Sequence, residues 1–171
     1  MPEILDLYDA DMRPIGKTVV RGEPVPSGCY PVVVTVMTVN AAGKILMTKR
    51  APEKSRPNTW EITGGSKKAG ETMEQAACRE LYEETGITVP TDALVRCGTD
   101  RSAHWFFVHY LVYAEEPETG IRLQAGETVD YRWVTPAELL AEADRLDPSG
   151  RERALFLRFY GRVLLPKEGN T

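Results

Sequence analysis

Residues 65–87 read GSKKAGETMEQAACRELYEETGI, a glycine-bounded polar run that passes into a helix. The helix marks both its ends: Thr72 stands as N-cap with Gln75 three residues on as its capping-box partner, and Gly86 supplies a left-handed C-terminal cap. At about 100° per residue, Glu80, Glu83 and Glu84 fall in one arc and Ala77, Cys78, Leu81 and Tyr82 in another, which predicts an acidic patch opposite a packed face. Such a patch opposes helix formation. Glu80 faces Glu83 at i,i+3 and Glu84 at i,i+4, at about 0.2–0.5 kcal/mol per like-charged pair, and Glu83 and Glu84 add charge to the negative end of the helix dipole. Arg79 offsets part of this through Glu83. The arrangement makes sense if a divalent cation sits over the three carboxylates, and oxygen-only ligands favour Mg²⁺ or Mn²⁺ over zinc. The alternative reading is a solvated acidic face.

Outward from this helix the chain alternates strands and helices. Val32 to Val39 is a continuous β-branched run, Asn40 to Gly43 a turn, and Lys44 to Arg50 the returning arm of a hairpin. Pro52 to Asn58 reads as a loop, Trp60 to Thr63 as a short strand, and Gly64 to Gly70 as a loop entering the helix. His104 to Tyr113 is apolar on both alternating faces, as in a strand covered above and below. Val129 to Val134 reads as a strand, Thr135-Pro136-Ala137-Glu138 as a second capping box opening a helix to about Arg145, and Arg151 to about Val163 as a last helix. One mixed α/β domain results, with residues 1–28 an N-terminal strand and loop extension packed on the main domain of residues 29–171.

The 171 residues, 42% hydrophobic and 27% charged, suit one soluble core and argue against disorder. With 21 basic against 25 acidic side chains, the net charge of −4 has the wrong sign for a nucleic-acid or anionic-membrane binder, so a small-molecule partner is expected. Cys29, Cys78 and Cys97 are odd in number and lack metal-type spacing. No apolar run approaches the roughly 20 residues that span a bilayer, and Met1 to Ala10 is acidic where a signal peptide is basic and then apolar. A reducing, cytoplasmic setting is the expectation.

Gly65, Glu71, Arg79-Glu80-Leu81, Glu83-Glu84 and Gly86-Ile87 match the Nudix box at every specified position across 23 residues. The chain therefore resembles a Nudix hydrolase, which implies an α/β/α sandwich with a mixed central sheet and Mg²⁺- or Mn²⁺-dependent hydrolysis of a diphosphate bond in a nucleoside diphosphate linked to a further group, or in a related organic diphosphate. By that resemblance the metal ligands are the Gly64 carbonyl, Glu80, Glu83 and Glu84. The catalytic group is Glu80, Glu83 and Arg79, with Glu80 a candidate general base and Arg79 orienting the glutamates. Gly65, Glu71 and Gly86 are structural positions of the motif. Family members also draw an acid from a distant loop, for which Glu127 is chosen over Asp130.

Leu5 to Gly16, Thr48-Lys49-Arg50-Ala51 and Lys54 are similar to isopentenyl-diphosphate isomerases, where the positions of Arg50 and Lys54 bind diphosphate. Guanidinium and ammonium groups there suit a phosphate substrate. Isomerase chemistry needs a cysteine where this chain has Gly64 and metal-binding histidines near the N-terminus, whereas no histidine precedes His104. A non-catalytic metabolite-binding module of the same fold is the other alternative, favoured by missing glutamates that are here present. Trp60, Trp105 and Phe106 are candidates to stack on a base, with core packing as their other reading. His109 is expected as a buried, hydrogen-bonded histidine, and His104 as a residue at the strand entrance. The resemblance also allows a homodimer, with no interface marked in the chain.

Overall fold

The computed structural model describes residues 2–165; residue 1 of the expected extension and residues 166–171 of the expected main domain lie outside the described residues. The chain runs β1 (Ile4–Tyr8), β2 (Pro14–Val20), β3 (Val32–Val39), β4 (Ile45–Arg50), β5 (Trp60–Glu61), β6 (Thr63–Ser66), α1 (Met73–Thr85), β7 (Val95–Arg101), β8 (Phe106–Tyr113), β9 (Thr128–Val134), α2 (Pro136–Leu146) and α3 (Arg151–Leu164). β1 and β2 form a two-stranded sheet, and the other strands make a seven-stranded mixed sheet in the order β5-β4-β3-β8-β7, with β6 on β3 and β9 on β4.

The parallel pair β3 and β8 is the spine, in register from Val32 opposite Phe106 to Val39 opposite Tyr113. Both strands are apolar on both faces because both faces are covered. Val34, Val36, Val108 and Tyr110 pack with Ala76, Ala77 and Leu81 of α1 on one side. Met37 and Leu111 pack with Leu139 of α2 and Phe159, Tyr160 and Leu164 of α3 on the other. The result is the three-layered α/β/α arrangement. Each fully buried aliphatic or aromatic side chain in these layers contributes about 1.5–3 kcal/mol.

Several local expectations are corrected. β3 and β4 do not pair along a hairpin: they meet at Val39 opposite Ile45. The rest of that β3 edge is taken by β6, with Val33 to Val36 opposite Ser66 to Thr63. Gly64 and Gly65 thus lie in a strand, because backbone pairing to β3 overrides the low strand propensity of a glycine pair. Trp60 to Thr63 is likewise not one strand. Trp60 and Glu61 pair with β4 and the chain then crosses at Ile62 to β3, which delivers Glu61 and Gly64 to neighbouring places. β8 begins at Phe106, since Ser102 closes a turn by accepting from the Trp105 N–H at 3.1 Å.

The β1–β2 hairpin covers the approach to α1. Lys67, 3% exposed, donates to Asp6 at 2.7 Å, the Gly70 N–H donates to the same Asp6 oxygen at 2.9 Å, and Ala69 N–H donates to the Ile4 carbonyl at 2.7 Å. Among the described residues no helix is long and apolar enough to cross a membrane.

Candidate active site

α1 is capped as its sequence requires. Thr72 Oγ1 accepts from Gln75 N–H at 3.1 Å, Gln75 Oε1 accepts from Thr72 N–H at 2.9 Å, and Gly86 closes the helix at φ 78°. The helix lies against β6, and that strand requires glycine twice. A Cβ on Gly65 would occupy the position of the Glu80 carboxylate, and one on Gly64 would stand 2.9 Å from the Val34 carbonyl oxygen. No side chain fits between β6 and α1 at Gly65, nor against β3 at Gly64.

The acidic face is turned inward, not to water. Glu80 and Glu84 are buried with Ala76, Ala77, Leu81 and Thr85, whereas Tyr82, expected in the packed arc, is exposed and Cys78 is half-buried. The reason is the docking against β6, which turns the expected packed arc partly outward and brings Glu80 over Gly65.

Arg79 gathers one set of carboxylates. Its Nε and Nη2 donate to the two oxygens of Glu71 at 2.6 and 2.9 Å, and Nη1 donates to Glu80 at 2.8 Å and Glu83 at 3.0 Å. Nη2 also donates to the Ser66 carbonyl at 3.0 Å, tying β6 to the helix. Burial alone would raise the Glu71 carboxyl, yet the hydrogen bonds from Arg79 and the Lys68 N–H outweigh it and hold Glu71 below the usual carboxylate range. Around Glu80 burial prevails over Arg79, and its carboxyl is raised.

Glu84 differs from all of these. Burial, then the charges of Glu80, Glu61 and Glu127, push its carboxyl well above the usual range. Each of those neighbours has its own cation: Arg79 for Glu80, Arg50 for Glu61 at 2.6 Å, and Lys54 for Glu127. Glu84 Oε2 is buried with no hydrogen-bond partner, and among the described residues no cation pairs with the group. The structure therefore brings Glu80, Glu84 and Glu127 together and adds Glu61, a residue not singled out in the sequence. Arg50 and Lys54, expected as open phosphate ligands, are instead engaged with Glu61 and Glu127, because strand pairing brings those acids within ion-pair reach of the end of β4. Arg50 also donates from Nε to the Ser55 carbonyl at 2.8 Å.

Among the described residues no group of three or more His, Cys, Asp or Glu side chains is arranged as metal ligands. The donor set still fits a hard divalent ion. It consists of oxygens alone, and it includes a buried carboxylate lacking any compensating charge, a group that is costly unless paired.

The opposite face of the sheet carries a cavity of about 320 Å³ between β3, β8, β5 and α3, walled by Trp60, Phe107, His109, Phe156 and Tyr160 and sharing Glu61 with the carboxylate cluster. Trp60 reaches this cavity. Phe106 does not, being in the core on the α1 side, and Trp105 stands in the turn before β8, where His104 is exposed. The period-2 alternation along β8 is the signal that separates Phe107 and His109 from Phe106 and Val108.

A family model described as NUDIX domain matches residues 30–155. An uncharacterized Nudix hydrolase of Listeria monocytogenes is 33% identical over 138 residues, covering 80% of this chain and 82% of the relative. The CTP pyrophosphohydrolase of Escherichia coli is 30% identical over 107 residues, 63% of this chain and 78% of that protein. The crystal structure of DR0079 from Deinococcus radiodurans superposes with a TM-score of 0.72 at 25% identity, covering 92% of this chain and 99% of that one. The chain belongs to the Nudix family.

Proposed function

We propose that this Nudix chain hydrolyses the diphosphate bond of a nucleoside diphosphate linked to a further group, with Mg²⁺ or Mn²⁺ as its cofactor. The observation that carries the reading is Glu84, a buried carboxylate without a cation, set among three acids that each have one. The name of the Escherichia coli relative, a CTP pyrophosphohydrolase, supports a nucleotide substrate. Glu80, Glu83 and Glu84, with the Gly64 carbonyl and Glu127, are the residues that would hold the metal. When bound, such an ion polarises the phosphoryl group, acidifies water and neutralises the leaving phosphate.

The chain supplies the rest. Glu80, desolvated against Gly65, is the base that takes the proton of the attacking water, and the N–H of Arg79 on its Oε1 fixes its orientation. Glu71 holds Arg79 in turn, so its part is positioning. Arg50 and Lys54 would exchange Glu61 and Glu127 for the phosphate oxygens of the substrate, and those two acids would then be free to help hold the metal. The three cysteines, all free, support a cytoplasmic setting.

The test is phosphate release from nucleoside triphosphates, nucleotide sugars, dinucleoside polyphosphates and isoprenoid diphosphates, with Mg²⁺, with Mn²⁺ and with chelator. Metal-dependent turnover is expected, lowered at least about 100-fold by Glu84→Gln with the circular-dichroism spectrum unchanged. Turnover that survives chelator, or a Glu84→Gln protein of near wild-type rate, overturns the reading.

A further inference from the structure

We infer that the cavity beneath α3 is a recognition site for the planar heterocyclic base of the substrate, read at its polar edge by one N–H of His109 in a chain of hydrogen bonds with Thr35 and Tyr160. This rests on the reading of the protein as a nucleotide hydrolase, and it assigns the part of the substrate remote from the diphosphate.

The argument begins with an unmade hydrogen bond. His109 is 8% exposed, lines the cavity, and stacks on Phe159 with ring centroids 4.2 Å apart. Its Nδ1 lies 2.9 Å from Thr35 Oγ1, which lies 2.9 Å from the Tyr160 hydroxyl, while Nε2 has no partner. Counting protons orients this chain. Tyr160 is 1% exposed and its hydroxyl has Thr35 for a partner, so a proton directed elsewhere would be orphaned. If Tyr160 donates to Thr35 and Thr35 donates to Nδ1, both hydroxyl protons are used. The imidazole, held neutral by burial that lowers its pKa to about 4, then carries its single proton on Nε2. His109 therefore offers a donor, fixed in its tautomer, with nothing among the described residues to receive it.

The remaining walls say what would receive it. Trp60, Phe107 and Phe156 offer apolar surface on which a flat ring packs. A volume of about 320 Å³ is at the small end for ligand pockets, which run to about 1,000 Å³, and suits a single ring system. A heterocyclic base presents a carbonyl oxygen or ring nitrogen at its edge to accept from Nε2–H. An isoprenoid chain has no acceptor and would leave the donor buried and unpaired, so the same contact excludes it. Glu61 stands both in this wall and beside the carboxylates around Glu84, which joins the base end of the cavity to the diphosphate end.

The experiment reads His109 directly. The ¹⁵N imidazole signals are followed while cytidine or adenosine 5′-monophosphate, or farnesyl diphosphate, is added, and dissociation constants are measured for wild type, His109→Phe, His109→Gln and Tyr160→Phe. The expected result is a shift of Nε2 with at least one nucleotide and none with farnesyl diphosphate. Affinity should fall at least about tenfold in His109→Phe and recover in part in His109→Gln, which restores a donor. Tyr160→Phe, which keeps the ring but releases the tautomer, should weaken binding about threefold and serves if His109→Phe does not fold. Unchanged nucleotide affinity in both His109→Phe and Tyr160→Phe, or an imidazole silent to both nucleotides, overturns the inference even if diphosphate hydrolysis is found. Nucleotide binding at His109 without hydrolysis upholds it while the hydrolase reading fails.

Discussion

Two carboxylates near the same helix experience opposite fields. Glu71, ahead of α1, receives two N–H groups from Arg79 and one from Lys68, and its carboxyl is held below the usual range. Glu84, in the last turn, has burial and three acidic neighbours, and its carboxyl is pushed well above that range. The difference teaches which charges belong to the architecture and which are kept in reserve. The Arg79 cluster is complete as it stands, whereas the Glu84 site lacks a positive charge that none of the described residues provides.

The contrast is broken most severely at Arg79. Arg79→Ala leaves Glu71 and Glu80 desolvated without their cation, and urea denaturation should show a loss of about 3–5 kcal/mol, together with loss of turnover. A loss below about 1 kcal/mol would mean that the cluster is not a structural clamp. Gly65→Ala should be next. The new methyl group displaces the Glu80 carboxylate, and turnover should drop at least tenfold with a stability loss of about 1–3 kcal/mol. Normal turnover would show that Glu80 need not lie over Gly65.

The smallest effect is the most discriminating, because its sign changes between the two carboxylates. Glu84 has its folded pKa above its unfolded one. It contributes stability that is fully present below the unfolded value and lost as pH rises through the raised folded value. Glu71 has its folded pKa below the unfolded one, so its contribution is present above the unfolded value and lost as pH falls through the folded value. Metal-free Glu84→Gln should therefore gain on wild type as pH rises from 5 to 8, by on the order of 1–2 kcal/mol in chemical denaturation. Glu71→Gln should be less stable than wild type above the unfolded value, with the gap closing as pH falls through the folded one. Parallel stability curves for wild type and Glu84→Gln would place Glu84 in an ordinary solvated environment.

What could be read from the sequence was local. The caps of α1 and α2 are spelled by Thr72, Gln75, Gly86 and Thr135-Pro136-Ala137-Glu138, each acting within a turn of chain, and the spacing of Glu80, Glu83 and Glu84 follows from helical period alone. The inward turn of Glu80 and Glu84 is not local: it depends on β6 pairing with β3, and a Gly-Gly pair carries no strand signal of its own. Glu61 and Glu127 come beside Glu84 through different edges of β4, which no spacing in the sequence records. β7, with the polar sequence VRCGTDR, shows no alternation and is a strand because β8 offers it an edge. There Gly98 allows Phe159 to approach, a Cβ being 2.5 Å from its ring, and so places α3 over His109. The cavity is thus a product of tertiary packing, while half of the carboxylate cluster is written in one helix.

The most direct test of the reserved charge is calorimetric titration of Mn²⁺ into wild type and Glu84→Gln without substrate, at a pH where both are folded. Wild type should bind the ion, with the variant weaker by at least about tenfold. Equal affinities would contradict the account, since the missing positive charge at Glu84 would then not be the metal.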